Sequence, residues 1–367
     1  MAGIYVHIPF CASRCIYCDF YSTTRLDLRR RYADAICSEL RQRQGELRQK
    51  VQTVYMGGGT PSQLQPDQLW QLFDAIDATE AVEVTMECNP DDITPQFARL
   101  LSQLPVNRVS MGVQTFSDHR LRFLHRRHTS DQARRAVDLL REAGLSNISL
   151  DLMYGFPGES LTDWHNDIDQ LLQLAPEHVS AYSLMYEEGT PLHGMLAKGL
   201  VSEADEELSL QMYTDLTDRL ADAGYEHYEI SNFARSRQLR SLHNSNYWNH
   251  TPYLGIGAAA HSFDGRMRRW NVSDLQAYID GMEQGTPIFD TEAIDADTFY
   301  NEQVMTALRT CEGLTLSTLA PAYRPFCMEQ AATFIDDGLL TFDGQRLVLS
   351  RQGLFVSNIV MSGLMKV

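Results

Sequence analysis

Six short runs rich in Val, Ile, Tyr and Met, each followed by an amphipathic stretch of about 12 to 20 residues, fill the chain up to Tyr225. The strand candidates are Ile4–Ile8, Thr53–Met56, Val82–Glu87, Arg108–Gln114, Ile148–Leu152 and Val179–Leu184. Helices fit between and after them, at about 27–49, 66–78, 95–104, 118–143 with a break near Thr129–Ser130, 161–174 and 203–223. Repeated βα units demand a parallel sheet, because each crossover returns the chain to the same end of it. The fold class expected is α/β: a partial TIM-like (β/α)6 barrel with a small, mainly helical, winged-helix-like C-terminal domain. An open doubly wound sheet is the alternative. The division expected is 1–225 for the barrel, 226–290 for an extension and 291–367 for the C-terminal domain.

After Tyr225 the rhythm changes. "YEHYEISNFA" and "YLGIGAAAHSF" read as strands flanking an aromatic loop, "HNSNYW", and Thr298–Arg309 as a helix. From about 312 the pattern is helix, helix, a hairpin over Leu339–Leu349 turning at Asp343–Gly344, and a last helix. A winged helix often binds DNA, but this one is not basic, and the formal net charge of the chain is -17. That charge repels a polyanion, so no nucleic-acid partner is expected. The basic runs Arg29–Arg31 and Arg120–His128 read as solvated helix faces, apart from Arg126. No apolar run is long enough for a membrane span and no signal-peptide core follows Met1, so a cytoplasmic protein with at most peripheral membrane contact is expected. Seven cysteines without secretory signals point to thiols or metal ligands rather than disulfides.

In a βα barrel the functional residues come from the C-terminal ends of successive strands. Here those ends carry Cys11, Cys15 and Cys18, then Gly57–Pro61, Glu87, Gln114, Asp151 and Met185. Three thiolates within eight residues can ligate three irons of a 4Fe-4S cubane and leave the fourth open. A structural zinc would normally be closed by a fourth ligand. His7 is near but lies within a strand. The glycine run lets backbone approach a ligand and offers N–H groups to a carboxylate, although a tight turn before a helix explains it equally well.

C-x3-C-x2-C with Tyr17, followed by GGGTP, resembles the radical S-adenosylmethionine (SAM) superfamily. "YVHIPFC", "MGGGTPS", "MECNPD", "SMGVQTF" and "DLMYGFPGE" narrow the resemblance to the oxygen-independent coproporphyrinogen III oxidase family, over about Ile4 to Phe263. The resemblance implies Cys11, Cys15 and Cys18 as cluster ligands, with SAM chelating the open iron. It also implies Tyr5, Tyr17, Gly58, Gly59, Thr60, Glu87, Gln114, Arg126, Asp151 and Met185 as SAM contacts. In that family an electron from the cluster cleaves SAM to methionine and a 5'-deoxyadenosyl radical. Without the family, Glu87 and Asp151 read as buried carboxylates paired with a barrel arginine.

Two functions compete within the resemblance. The dehydrogenases decarboxylate two propionates of coproporphyrinogen III to vinyls, show C-x3-C-x2-C-x-C, and carry a segment ahead of the first strand. Here the last cysteine position is Phe20, and the first strand starts almost at Met1. Both departures resemble HemW-type haem chaperones, as does HNxxYW, which is His243, Asn244, Tyr247 and Trp248. That resemblance implies haem as cargo, a haem-acceptor protein and an electron donor as partners, and His243 near the haem, with His250 and His261 as rival ligands.

Overall fold

The computed structural model describes residues 2–366. Its framework is six parallel strands in sequential order: β1 (Ala2–Ile8), β2 (Val51–Gly58), β3 (Glu83–Cys88), β4 (Arg108–Gln114), β5 (Ile148–Tyr154) and β6 (His178–Ser183). Between them run α1 (Arg29–Arg43), α2 (Pro66–Ala75), α3 (Pro95–Leu101), α4 (Asp118–Phe123), α5 (Ser130–Glu142) and α6 (Leu161–Leu174). Uninterrupted sequential order has no topological switch point, which sets aside the doubly wound alternative. The expected break at Thr129 is a helix start: Thr129 caps α5 in a reciprocal box with Gln132.

The strands alternate strictly. Ile4, Val6, Ile8, Val54, Met56, Val84, Met86, Val109, Met111, Leu150 and Val179 face the helices and form the main core. Each such buried side chain contributes about 1.5–3 kcal/mol. The opposite, concave face carries a register of polar residues. Tyr5 pairs with Tyr55, Tyr55 with Thr85 and Thr85 with Arg108. One layer nearer the rim, Glu87 pairs with Ser110, Ser110 with Ser149 and Ser149 with His178.

After β6 come α7 (Pro191–Ala197), α8 (Glu206–Asp222), β7 (Glu226–Glu229), β8 (Asn232–Ala234), α9 (Leu242–Trp248), β9 (Tyr253–Ile256), β10 (His261–Phe263), β11 (Met267–Asn271), α10 (Leu275–Gln284) and β12 (Phe289–Ala293). β9 returns to pair in parallel with β1, an extra parallel strand that the six-unit reading did not place. The full order is β12-β11-β10-β9-β1-β2-β3-β4-β5-β6-β8-β7, so the sheet ends in two edges and does not close. The expected boundary near 290 falls inside β12, which pairs with β11.

"HNSNYW" is not a loop but lies in α9. Its first N–H groups are satisfied from two directions: Ser241 accepts from Asn244, and Glu83 of β3 accepts from the N–H of Leu242 and His243 at 2.8 Å each. A cap supplied across the fold leaves no trace in the local sequence.

The C-terminal domain holds α11 (Ala296–Ala307), β13 (Leu314–Thr315), α12 (Tyr323–Asp336), β14 (Leu340–Phe342), β15 (Arg346–Leu349), α13 (Arg351–Phe355) and α14 (Ser357–Leu364) around its own core. The first of the two helices expected after 312 is a single 3-10 turn at Leu316–Thr318. The hairpin turns where expected, with Asp343 Oδ1 accepting from the N–H of Gln345 and Arg346. This domain clamps onto the barrel through Arg309, which pairs with Glu229 at 2.8 Å and lies 5.0 Å over the Trp248 ring.

The extension is tied down by one buried carboxylate. Glu39, 1% exposed, accepts from Arg43 at 2.7 Å, Asn271 at 2.8 Å, the Gly257 N–H at 2.9 Å and Tyr278 at 2.6 Å. Removing one partner of such a network strands the other charge. Glu39→Ala is expected to lower unfolding free energy by about 3–5 kcal/mol in a urea titration. A loss below ~1 kcal/mol would show that the network is not what holds the extension.

Candidate functional site

The cysteine loop leaves β1 at the C-terminal rim and is pinned at its neck. Cys11 N–H donates to Thr23 O at 2.8 Å, and Thr23 N–H donates to Pro9 O at 2.7 Å. Its middle is pinned by Ile16, whose N–H donates to Leu124 O at 3.2 Å and whose carbonyl accepts from Leu192 N–H at 2.9 Å. The Ile16 side chain is 4% exposed, buried with Leu124, Met153, Phe156, Leu184 and Leu192. All three loop cysteines are free and partly exposed. Cys11 Sγ lies 3.6 Å from Thr60 Oγ1, and Arg126 donates to Cys15 Sγ at 3.7 Å.

This donor set fits a cubane better than a single ion. Among the described residues no three His, Cys, Asp or Glu side chains converge as single-ion ligands. A cubane takes one thiolate per iron, so its sulfurs need not meet at a point. The arginine on Cys15 offsets anionic charge, and Phe20, 67% exposed, supplies no fourth thiol. His7 is excluded as a ligand as it stands: its ring nitrogens engage Tyr5 Oη and Tyr21 O, both at 3.0 Å.

The glycines act by close approach more than as free donors. Gly58 sits at φ +112°, and a Cβ there would lie 2.4 Å from His7 Cε1. One at Gly59 would lie 2.6 Å from the Pro9 carbonyl carbon. Their N–H groups are already used, Gly58 on Glu87 Oε2 at 3.0 Å and Gly59 on Ile8 O at 2.9 Å. Glu87 also accepts from Tyr55 at 2.7 Å. Thr60, 4% exposed, accepts from Asn89 at 3.3 Å.

Tyr5, Tyr17, Gly58, Gly59, Thr60, Glu87, Gln114, Arg126 and Asp151 gather on the concave face and its rim. Tyr5 stacks on Tyr55 with centroids 6.2 Å apart. Gln114 takes φ +68° at a bulge that turns it toward Gly112 and Arg126. Arg126 donates to Asn89 at 2.9 Å and to the Gly112 carbonyl. Tyr17 lies in the field of Arg126, Cys15, Cys18 and Asp151. Met185 stands apart, 61% exposed beyond β6. Asp151 accepts from Ser110 at 3.4 Å, and burial, with Glu87 next, raises its pKa to about 7. The barrel arginine nearest in role to the expected partner of these carboxylates is Arg108, but it forms no ion pair with either, and its Nε has no partner. Tyr55, Asn89 and Arg108 were missed by the sequence reading, and His7 was weighed only as a metal ligand; period-two alternation along the strands marks His7, Tyr55 and Arg108.

His243 lies at the other end of the barrel. It is 1% exposed, its Nδ1 meets Thr53 Oγ1 at 2.9 Å, its Nε2 meets Tyr247 Oη at 2.9 Å, and its ring stacks on Tyr55 at 5.2 Å. Burial, then Arg108, lowers its pKa to about 3, so it is neutral. Both nitrogens are occupied, and no macrocycle can reach the ring without α9 moving. His250 is bound to Thr306 at 3.0 Å, whereas His261 is exposed and stacks on Trp270.

Ile16→Ser retains every cysteine but releases the loop. Iron bound per chain after anaerobic reconstitution is expected to fall by more than about half, the cavity itself costing about 2–4 kcal/mol locally; undiminished iron would show that the clamp is dispensable. Asp151 tests the electrostatics. A neutral buried Asp favours the fold below its unfolded value of 3.8, and that advantage is lost as pH rises through about 7. Asp151→Asn should therefore melt higher than the parent above pH 7, by about 2–4 °C, with the gap closing toward pH 4. A gap independent of pH would contradict the assignment.

The Radical SAM superfamily model matches residues 5–171 and the HemN C-terminal domain model matches 294–356. Coproporphyrinogen III oxidase (HemN) from Escherichia coli superposes over 100% of this chain and 90% of its own with a TM-score of 0.85, at 21% identity, which is a likeness of fold. Heme chaperone HemW of Mycobacterium tuberculosis H37Rv is 35% identical over 99% of this chain and 94% of its own. Heme chaperone HemW of Bacillus subtilis is 33% identical over 98% and 97%. With three cysteines in one loop at the rim and full-length relatives at this identity, the chain belongs to the HemW haem chaperone family of radical SAM proteins.

Proposed function

We propose that this protein binds haem and passes it to an acceptor protein, while the rim holds a 4Fe-4S cluster with SAM at its open iron. The full-length relationship to proteins named as haem chaperones carries the reading. Phe20 at the fourth cysteine position agrees with it. When bound, the cluster supplies one-electron chemistry to SAM, and an electron donor is its implied partner. Cys11, Cys15 and Cys18 would hold the irons. Glu87 and Asp151 would accept from the ammonium or ribose hydroxyls of SAM, Arg126 would meet its carboxylate side, and Tyr5, Tyr17, Gly58, Gly59, Thr60 and Gln114 would complete the surround, with Met185 outside it. Since Asp151 accepts best when ionised, SAM affinity should rise with pH through about 7. A cytoplasmic location is part of the proposal; among the described residues no helix is long and apolar enough to cross a membrane.

The competing reading is coproporphyrinogen III dehydrogenase, which the fold shared with HemN accommodates. Anaerobic protein reconstituted with iron, sulfide and SAM separates the two. Haem retained through gel filtration, with no vinyl product from coproporphyrinogen III under reducing conditions, is the expected outcome. SAM-dependent decarboxylation to protoporphyrinogen IX would make the chain an enzyme and reject the carrier.

A further inference from the structure

A haem iron needs a Lewis base whose lone pair is free. Of the eleven imidazoles, His7, His178 and His243 have both ring nitrogens engaged, and His128, His165, His227 and His250 are each tied through Nε2 alone. Among the described residues His119, His125, His193 and His261 have no side-chain partner. Three of these four belong to the rim segments carrying α4 and α7, and two adjoin the clamp on the cysteine loop. His125 follows Leu124, whose carbonyl takes the Ile16 N–H, and His193 follows Leu192, whose N–H meets the Ile16 carbonyl.

His125 is also placed at a cost. It ends α4 at φ +61°, with its own N–H on Arg122 O and the Arg126 N–H on Leu121 O. That is the left-handed helix-end position that glycine normally fills, and a side chain there costs roughly 1 kcal/mol. A strained residue with a free imidazole, beside the arginine that touches Cys15, invites a functional explanation. The surroundings suit an iron porphyrin. Phe20 and Met185 are 67% and 61% exposed on this rim. Arg14, Arg122 and Lys198 are exposed there and form no ion pair among the described residues, against a chain charge of -17, so they can meet two propionates.

We propose that haem sits across the mouth of the barrel, over the cysteine loop, with the His125 imidazole as its axial iron ligand, and not on HNxxYW. This rests on the haem-carrier reading. The imidazole donates a nitrogen lone pair to ferric iron and displaces the water bound there; no electron is transferred. Haem so placed would lie next to the cluster site.

The test uses full-length protein, both cluster-free and reconstituted, titrated with haemin and followed by the Soret band. His125→Gly suits the left-handed position, so it should fold at least as well as the parent. It is expected to bind haemin at least tenfold more weakly with a shifted Soret band, and added free imidazole should restore the parent spectrum. Parent affinity and spectrum in His125→Gly, or a loss confined to His193→Ala, would overturn the assignment. No haemin binding by the parent itself would overturn the carrier reading and this site together.

Discussion

A concave sheet face lined with polar side chains can exist inside a protein only if nearly every group on it finds a partner, because each unsatisfied buried group costs about 1–3 kcal/mol. That constraint organises this molecule. Thr53, Glu83, Ser149 and His178 lie below the rim, buried and hydrogen-bonded, while Thr85 Oγ1 and Arg108 Nε beside them are left without a partner. The floor is closed by α9, which gives two N–H groups to Glu83 and an imidazole to Thr53. Farther round, His178 joins Ser149 to Tyr228 at 2.8 and 2.7 Å. The C-terminal domain then holds the plug in place through Arg309 on Glu229 and Trp248. On this account HNxxYW is first a floor, and its histidine is used up by being one.

With the floor closed, the proposed function leaves the chemistry to the rim. There the same economy runs the other way: Ile16 anchors a loop whose polar atoms stay accessible, and Arg126, Asn89 and Thr60 link the cysteines to β2, β3 and β4. Asp151 and Glu87 lie in the field of Arg108 without an ion pair to it, and burial raises the pKa of both.

Much of this was legible in the sequence. The six βα units, their order of rim residues and the cysteine triplet are local patterns, and local patterns survive reading one segment at a time. The winged hairpin was legible for the same reason, since Asp343 and Gly344 specify their own turn. What escaped depended on distant partners. Beyond its local Ser241 cap, α9 has two of its first N–H groups satisfied by Glu83, far back in the chain, which no local pattern shows. β9 was read as a strand, but nothing local says that it returns to β1. The glycine run was visible, yet its tight fit against His7 and Pro9 needed the assembled rim. The alternation Tyr5, Val6, His7 was in plain view and would have marked His7 as inward-facing.

Hydrogen exchange across the chain, with and without haemin, tests the division between floor and rim most directly. The account predicts that residues 242–248 stay equally slow to exchange in both states, while protection rises over 11–20, 122–128 and 184–195. Haem-dependent protection concentrated in 242–248, with the rim unchanged, would contradict it.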